Sequence, residues 1–162
     1  MAATLECGKL ALAAIPNFEV VTLLCGIYGY VFGPLGILAS LVFVAIEPLI
    51  WGFGTWIISY IIYWPLVSVV FFILSRLRVR SRISLTAAAL ILTLFFGVLT
   101  SLVDVGLFSG SYENFFYRFS VYYARGIVFY AIQLGANALL FPLLFPYLSS
   151  QLARVKSKMK RK

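Results

Sequence analysis

Long apolar runs divided by short breaks dominate this chain. Six apolar segments follow from that pattern. The first runs from about Ala2 to Ile15 and stops at Pro16-Asn17. The second covers about Phe18 to Phe32 and stops at Gly33-Pro34. The third extends from Leu35 to about Trp51, where Gly52-Phe53-Gly54 makes a turn. The fourth covers Thr55 to about Leu74 and precedes a loop rich in arginine. The fifth is Ile83 to Phe108. The polar stretch Ser109 to Asn114 then leads to the sixth, from about Phe119 to Leu152. A membrane barrel alternates apolar and polar residues along each strand; these runs are continuous. In lipid every backbone N–H and C=O must be paired internally, so continuous apolar runs predict helices. A straight crossing takes about 20 residues. The first two segments are shorter, which predicts tilting, local thinning of the bilayer, or partial re-entry.

Composition strengthens this picture. Apolar residues make up 63% of the chain and charged residues 11%, less than half the charged share of an ordinary soluble domain. Too few polar residues are present to cover a surface facing water. The expected fold is an all-α integral membrane protein, a compact bundle of six transmembrane helices. Residues 1–152 are expected to form the transmembrane domain and 153–162 a basic cytoplasmic tail. The apolar start of the chain lacks a basic leader, and Lys9 interrupts it, so it does not read as a cleavable signal peptide.

Charge placement sets a topology. Of thirteen basic residues, ten fall in two clusters: Arg76, Arg78, Arg80 and Arg82 in one loop, and Arg154, Lys156, Lys158, Lys160, Arg161 and Lys162 in the tail. Basic loops flanking spans mark the cytoplasmic side. Two crossings separate the clusters, so both lie on the same side, and with six crossings the N-terminus joins them in the cytoplasm. The excess charge is thereby assigned to the membrane surface and its anionic headgroups rather than to nucleic acid. The expected location is the cytoplasmic membrane of a bacterium or archaeon, crossed several times.

Ionisable residues within apolar helices are costly and mark functional sites by default. Under this topology Glu19, Glu47, Asp104 and Arg125 fall on four helices at similar outer-leaflet depth. They predict either interhelical ion pairs, such as Arg125 with Asp104, or a solvated cavity open to the outside. Aromatic residues favour the cavity. Trp56, Tyr60 and Tyr63 share one face of the fourth segment. Trp and Tyr also gather at membrane interfaces, which accounts well for Trp56 and less well for the deeper tyrosines. Arg125, Phe129, Gln133 and Asn137 recur every four residues along the sixth segment, either as hydrogen-bonding glue between helices or as a ladder of ligand contacts. Asn17, at the first turn, completes the candidate binding set. Ala3, Cys7 and Ala11 form a stripe of small residues that would let another helix approach closely. Glu6 and Lys9, three apart, could pair on the helix surface.

Several chemistries have no sequence support. The chain lacks histidine and a phosphate-binding G-x-x-x-x-G-K-[ST] loop. No nucleophile with a base and an orienting group stands out. Cys7 and Cys25 read as packing residues. Neither catalysis, a metal nor a cofactor is expected.

The chain resembles the substrate-binding S components of energy-coupling factor (ECF) transporters, small six-helix membrane proteins that capture vitamins and related micronutrients. The resemblance spans nearly the whole chain. It rests on Ile15 to Thr22 at the first turn, Val31-Phe32-Gly33-Pro34-Leu35-Gly36 before the third segment, Gly52-Phe53-Gly54-Thr55-Trp56 before the fourth, and Tyr123 to Tyr130 leading to Asn137. In that last stretch related sequences often read Gly-Ile-Pro-Phe-Asp, then His, then Asn. This chain keeps Gly126, Ile127, Phe129 and Asn137. It carries Val128, Tyr130 and Gln133 where Pro, Asp and His would stand. The resemblance implies a non-catalytic subunit that binds a small nutrient, expected to contain a ring, from outside. It implies docking onto a transmembrane coupling subunit served by two cytoplasmic ATPases, with the Ala3, Cys7 and Ala11 stripe in contact. Two other classes remain open on the residues alone: a stand-alone small carrier or channel, and an assembly subunit of a larger membrane complex.

Overall fold

The computed structural model describes residues 1–16, 18–108 and 113–159, and every regular element among them is a helix. Seven helices follow in order: α1 (Ala2–Leu12), α2 (Val21–Phe32), α3 (Pro34–Trp51), α4 (Trp56–Arg76), α5 (Arg82–Phe108), α6 (Phe115–Arg125) and α7 (Ile127–Met159). Four of them, α3, α4, α5 and α7, are long and apolar enough to cross a membrane. Their outward residues, among them Leu35, Leu49, Ile91 and Leu143, are large, apolar and exposed, as a surface solvated by lipid tails requires. The protein is a helical membrane protein.

Two boundaries differ from the sequence expectation. The sixth segment is two helices, because the chain turns at Gly126. Its N–H is shared between the carbonyls of Tyr122 and Tyr123 at 3.3 and 3.1 Å, and a Cβ there would lie 2.5 Å from the Tyr130 ring. A larger residue there would displace that ring from its place over the turn. No residue of α6 is buried. With Arg118 and Arg125 among its aromatics, α6 has the amphipathic make-up of a helix lying along a membrane interface. The first segment also ends early, at Leu12 rather than Ile15. A residue preceding proline is pushed out of the helical region, and Ile15 precedes Pro16.

Among the described elements α2 is central: eight of its twelve residues are buried. It meets its neighbours at close backbone approaches, Gly29 against α4 and the Tyr28 carbonyl against Gly36 of α3. A Cβ on Gly29 would stand 2.1 Å from the Ser68 carbonyl oxygen, and one on Gly36 would stand 2.2 Å from the Tyr28 carbonyl oxygen. The Ser68 hydroxyl donates to the Cys25 carbonyl at 3.2 Å. Gly33 ends α2 and opens α3 at φ +63°, with Pro34 at the first helical position, where its missing N–H costs nothing. Below this crossing Phe71, Phe141 and Phe145 pack ring on ring at 5.3–5.6 Å. Chain order thus gives the bundle two unlike ends. One gathers the α1–α2 and α3–α4 connections and the start of α7. The other gathers the Gly33 turn, the arginine loop and the C-terminal turns of α7.

Candidate functional site

At the first of those ends lies a cavity of about 310 Å³. Ala13, Ile15, Pro16, Phe18 and Glu19, after α1 has stopped and before α2 begins, line one side of it. Six aromatic side chains line it: Phe18, Trp51, Tyr60, Trp64, Phe96 and Phe129. Lys9, Glu19 and Gln133 are its polar residues. A space of this size with apolar walls and a few converging polar groups is typical of a small-molecule site.

Local structure fixes each polar group. Glu19 stands just before α2, and its carboxylate accepts the Thr22 backbone N–H at 2.8 Å and the Thr22 hydroxyl at 2.5 Å. The first N–H groups of a helix have no partner within the helix, so this cap both starts α2 and aims the carboxylate. The Gln133 amide on α7 donates to the same carboxylate at 3.4 Å. Lys9 reaches from α1 to form an ion pair with Glu47 on α3. Its ammonium lies 5.2 Å from the Trp51 ring centre and 5.3 Å from that of Tyr60, within cation–π range. Glu47 is wholly buried behind it. Glu6, buried beside this pair, has no hydrogen-bond partner on either oxygen among the described residues.

Two cavity-lining groups also lack partners there: the Trp64 Nε1–H and the Gln133 Oε1. Both residues are buried. Leaving a buried polar atom unpaired costs about 1–3 kcal/mol, and such atoms call for a reason. One is a donor and the other an acceptor, on two residues that line the same cavity.

The binding residues expected from sequence therefore separate. Glu19, Tyr60, Phe129 and Gln133 line the cavity. Glu47 stands behind Lys9, and Trp56 packs edge-on against Tyr60 at 4.9 Å. Tyr63 lies deeper, fully buried against Phe96 at 4.5 Å. Asn137 is fully buried and donates to the Thr93 hydroxyl at 3.0 Å, which itself donates to the Ala89 carbonyl. Asn137 thus ties α7 to α5. Asn137→Ala is expected to lower stability by about 1–3 kcal/mol, read as a fall in melting temperature in detergent, and to leave affinity at the cavity unchanged.

Asp104 and Arg125 do not line the cavity and form no ion pair with each other among the described residues. Eight residues beyond Phe96, Asp104 lies about 12 Å further along α5. The turn at Gly126 moves Arg125 off α7 and onto exposed α6, so the four-residue stripe keeps only Phe129, Gln133 and Asn137. Glu6 and Lys9 do not pair with each other either: the partner of Lys9 is Glu47. Asn17 lies outside the described residues.

Sequence reasoning gave Lys9 no place in the site, although a lone lysine in an apolar helix is itself a signal. Ala3, Cys7 and Ala11 are all exposed along α1, and both cysteines are free thiols. No group of three His, Cys, Asp or Glu among the described residues could hold a metal ion. Comparison with family models, with curated proteins and with solved structures gives no match.

Proposed function

We propose that this protein is the substrate-binding subunit of an ECF-type importer, which captures a small ring-containing nutrient in the aromatic cavity. The observation that carries this reading is the cavity itself: about 310 Å³ with aromatic walls, a lysine, a carboxylate held at the start of α2, and two lining residues, Trp64 and Gln133, that each carry an unpaired polar atom. The aromatic faces suit a flat ring. Trp64 and Gln133 suit a ring that carries both an acceptor and a donor. Lys9 and Glu19 suit a polar or zwitterionic ligand better than a bare anion.

In this reading six helices enter the bilayer, α6 lies at the interface, and both termini face the cytoplasm, as the two basic clusters require. At eleven and twelve residues, α1 and α2 are too short for a straight crossing, so the bilayer thins or the helices tilt around them. The site then opens outward. The exposed small stripe of Ala3, Cys7 and Ala11 supports docking on a coupling subunit, because small residues allow close helix contact in lipid. Energy would come from the partner ATPases.

The first test is mass spectrometry of the purified protein for a small molecule retained from the cell. With that molecule in hand, Gln133→Ala and Trp64→Phe should each weaken binding about tenfold, the effect of losing one hydrogen bond worth about 1.4 kcal/mol. Wild-type affinity in both folded variants would remove the cavity from the function.

A further inference from the structure

The opposite end of the bundle holds a second and larger cavity, of about 700 Å³, between α2, α4, α5 and α7. Its floor is apolar, with Leu85, Phe145 and Pro146. Its polar residues are Arg80, Lys156 and several serines. The backbone that leads to Arg80 and the ammonium of Lys156 are both held in place. Arg80 follows a tight helix stop in which Arg78 adopts φ +58° and the Val79 N–H bonds the Leu74 carbonyl at 3.0 Å. The Tyr30 hydroxyl then donates to the Val79 carbonyl at 2.8 Å and ties this loop to α2. Lys156 donates to the Val31 carbonyl, with its ammonium 5.8 Å from the Phe32 ring centre.

No carboxylate balances these cations. All five acidic residues of the chain, at positions 6, 19, 47, 104 and 113, belong to the other end, whereas Arg76, Arg78, Arg82, Arg154 and Lys158 lie within a few positions of the lining residues along the chain. A topology signal needs only the charge; it needs no concave site with two cations in its lining. Along the same α5–α7 pairing runs an apolar groove of about 290 Å³, lined by Ile83, Ala87, Leu90 and Pro142, with Arg82 at one end.

We infer that the Arg80–Lys156 cleft binds the phosphate of an anionic phospholipid, with an acyl chain laid along the apolar groove beside it. The chemistry recognised is a phosphate group, and the apolar groove favours a lipid over a free phosphate as its source. This site rests on the protein being embedded in a bilayer and is independent of the nutrient reading.

Native mass spectrometry in detergent tests it, with phosphatidylglycerol or phosphatidylcholine added to the intact protein. One phosphatidylglycerol should be retained at least about tenfold more tightly than phosphatidylcholine, since each basic group contributes appreciably at an anionic surface. The double variant Arg80→Gln, Lys156→Gln should lose that preference. Arg80→Lys, Lys156→Arg should keep it. Arg78→Gln, Lys158→Gln removes the same charge outside the cleft and should keep it too. Melting temperatures of the variants confirm folding. Equal retention of the two lipids overturns the site, and equal loss in the two glutamine doubles reduces it to diffuse surface charge. Displacement of the lipid by millimolar inorganic phosphate overturns the lipid as occupant in favour of a soluble phosphate.

Discussion

Lys9→Met should destabilise the protein by about 3–5 kcal/mol, the cost of breaking a buried ion pair from one side. Glu47 has no exposed surface, and the Lys9 ammonium is its partner. Removing that ammonium leaves a carboxylate sealed among apolar helices, with the Glu6 carboxyl buried alongside it. The side chain of Lys9 retains 25% exposure, which admits some water and sets the expected loss nearer the lower figure. Neutralising the partner as well should reverse most of the damage. Lys9→Met, Glu47→Gln is therefore expected to melt closer to wild type than Lys9→Met alone, because the pair's own net contribution is small once neither charge is stranded. Thermal denaturation of wild type, Lys9→Met, Glu47→Gln and the double variant in one detergent measures the coupling. A double variant as unstable as the single would show that Lys9 holds α1 by its packing on Trp51 and Tyr60 and not by charge.

This ion pair also shows what could be read from the sequence. The helices were legible because apolar runs and glycine or proline breaks are local signals. Glu47 stood out as a charge in an apolar helix. Its partner did not, because Glu6 offered Lys9 an acceptor three residues away, while the pairing that forms spans 38 positions of chain and depends on how α1 lies against α3. Spacing along one helix says nothing of that. The stripe from Arg125 to Asn137 misled for a related reason. A four-residue repeat implies a shared face only while the helix continues, and at Gly126 α6 ends and α7 begins. The aromatic wall was half legible. Tyr60 follows from periodicity on α4 and Phe129 from the four-residue repeat, but Phe18 and Phe96 join them only through the packing of the bundle.

Gly29→Leu should prevent assembly of the bundle altogether, and Gly29→Ala should cost about 3 kcal/mol, the upper range for forcing extra volume into a packed interior. A Cβ at Gly29 would sit 2.1 Å from the Ser68 carbonyl oxygen and 2.7 Å from its carbonyl carbon. These are backbone atoms of α4, so no rotamer change relieves the overlap; the two helices must separate. Separation would break the Ser68 hydroxyl bond to the Cys25 carbonyl and open the core contact of Gly26 with the Phe71 ring. In lipid the loss is not softened by a hydrophobic drive toward re-association, because the tails are as apolar as the helix surface and close packing supplies most of the attraction. Gly135 on α7 provides the contrast. A Cβ there meets nothing within 4 Å, so Gly135→Ala should be neutral or stabilising by up to about 1 kcal/mol through the better helix propensity of alanine. Melting temperature and the fraction remaining monodisperse in detergent separate the two cases. If Gly29→Ala and Gly135→Ala behaved alike, the close α2–α4 crossing could not be what holds the bundle together.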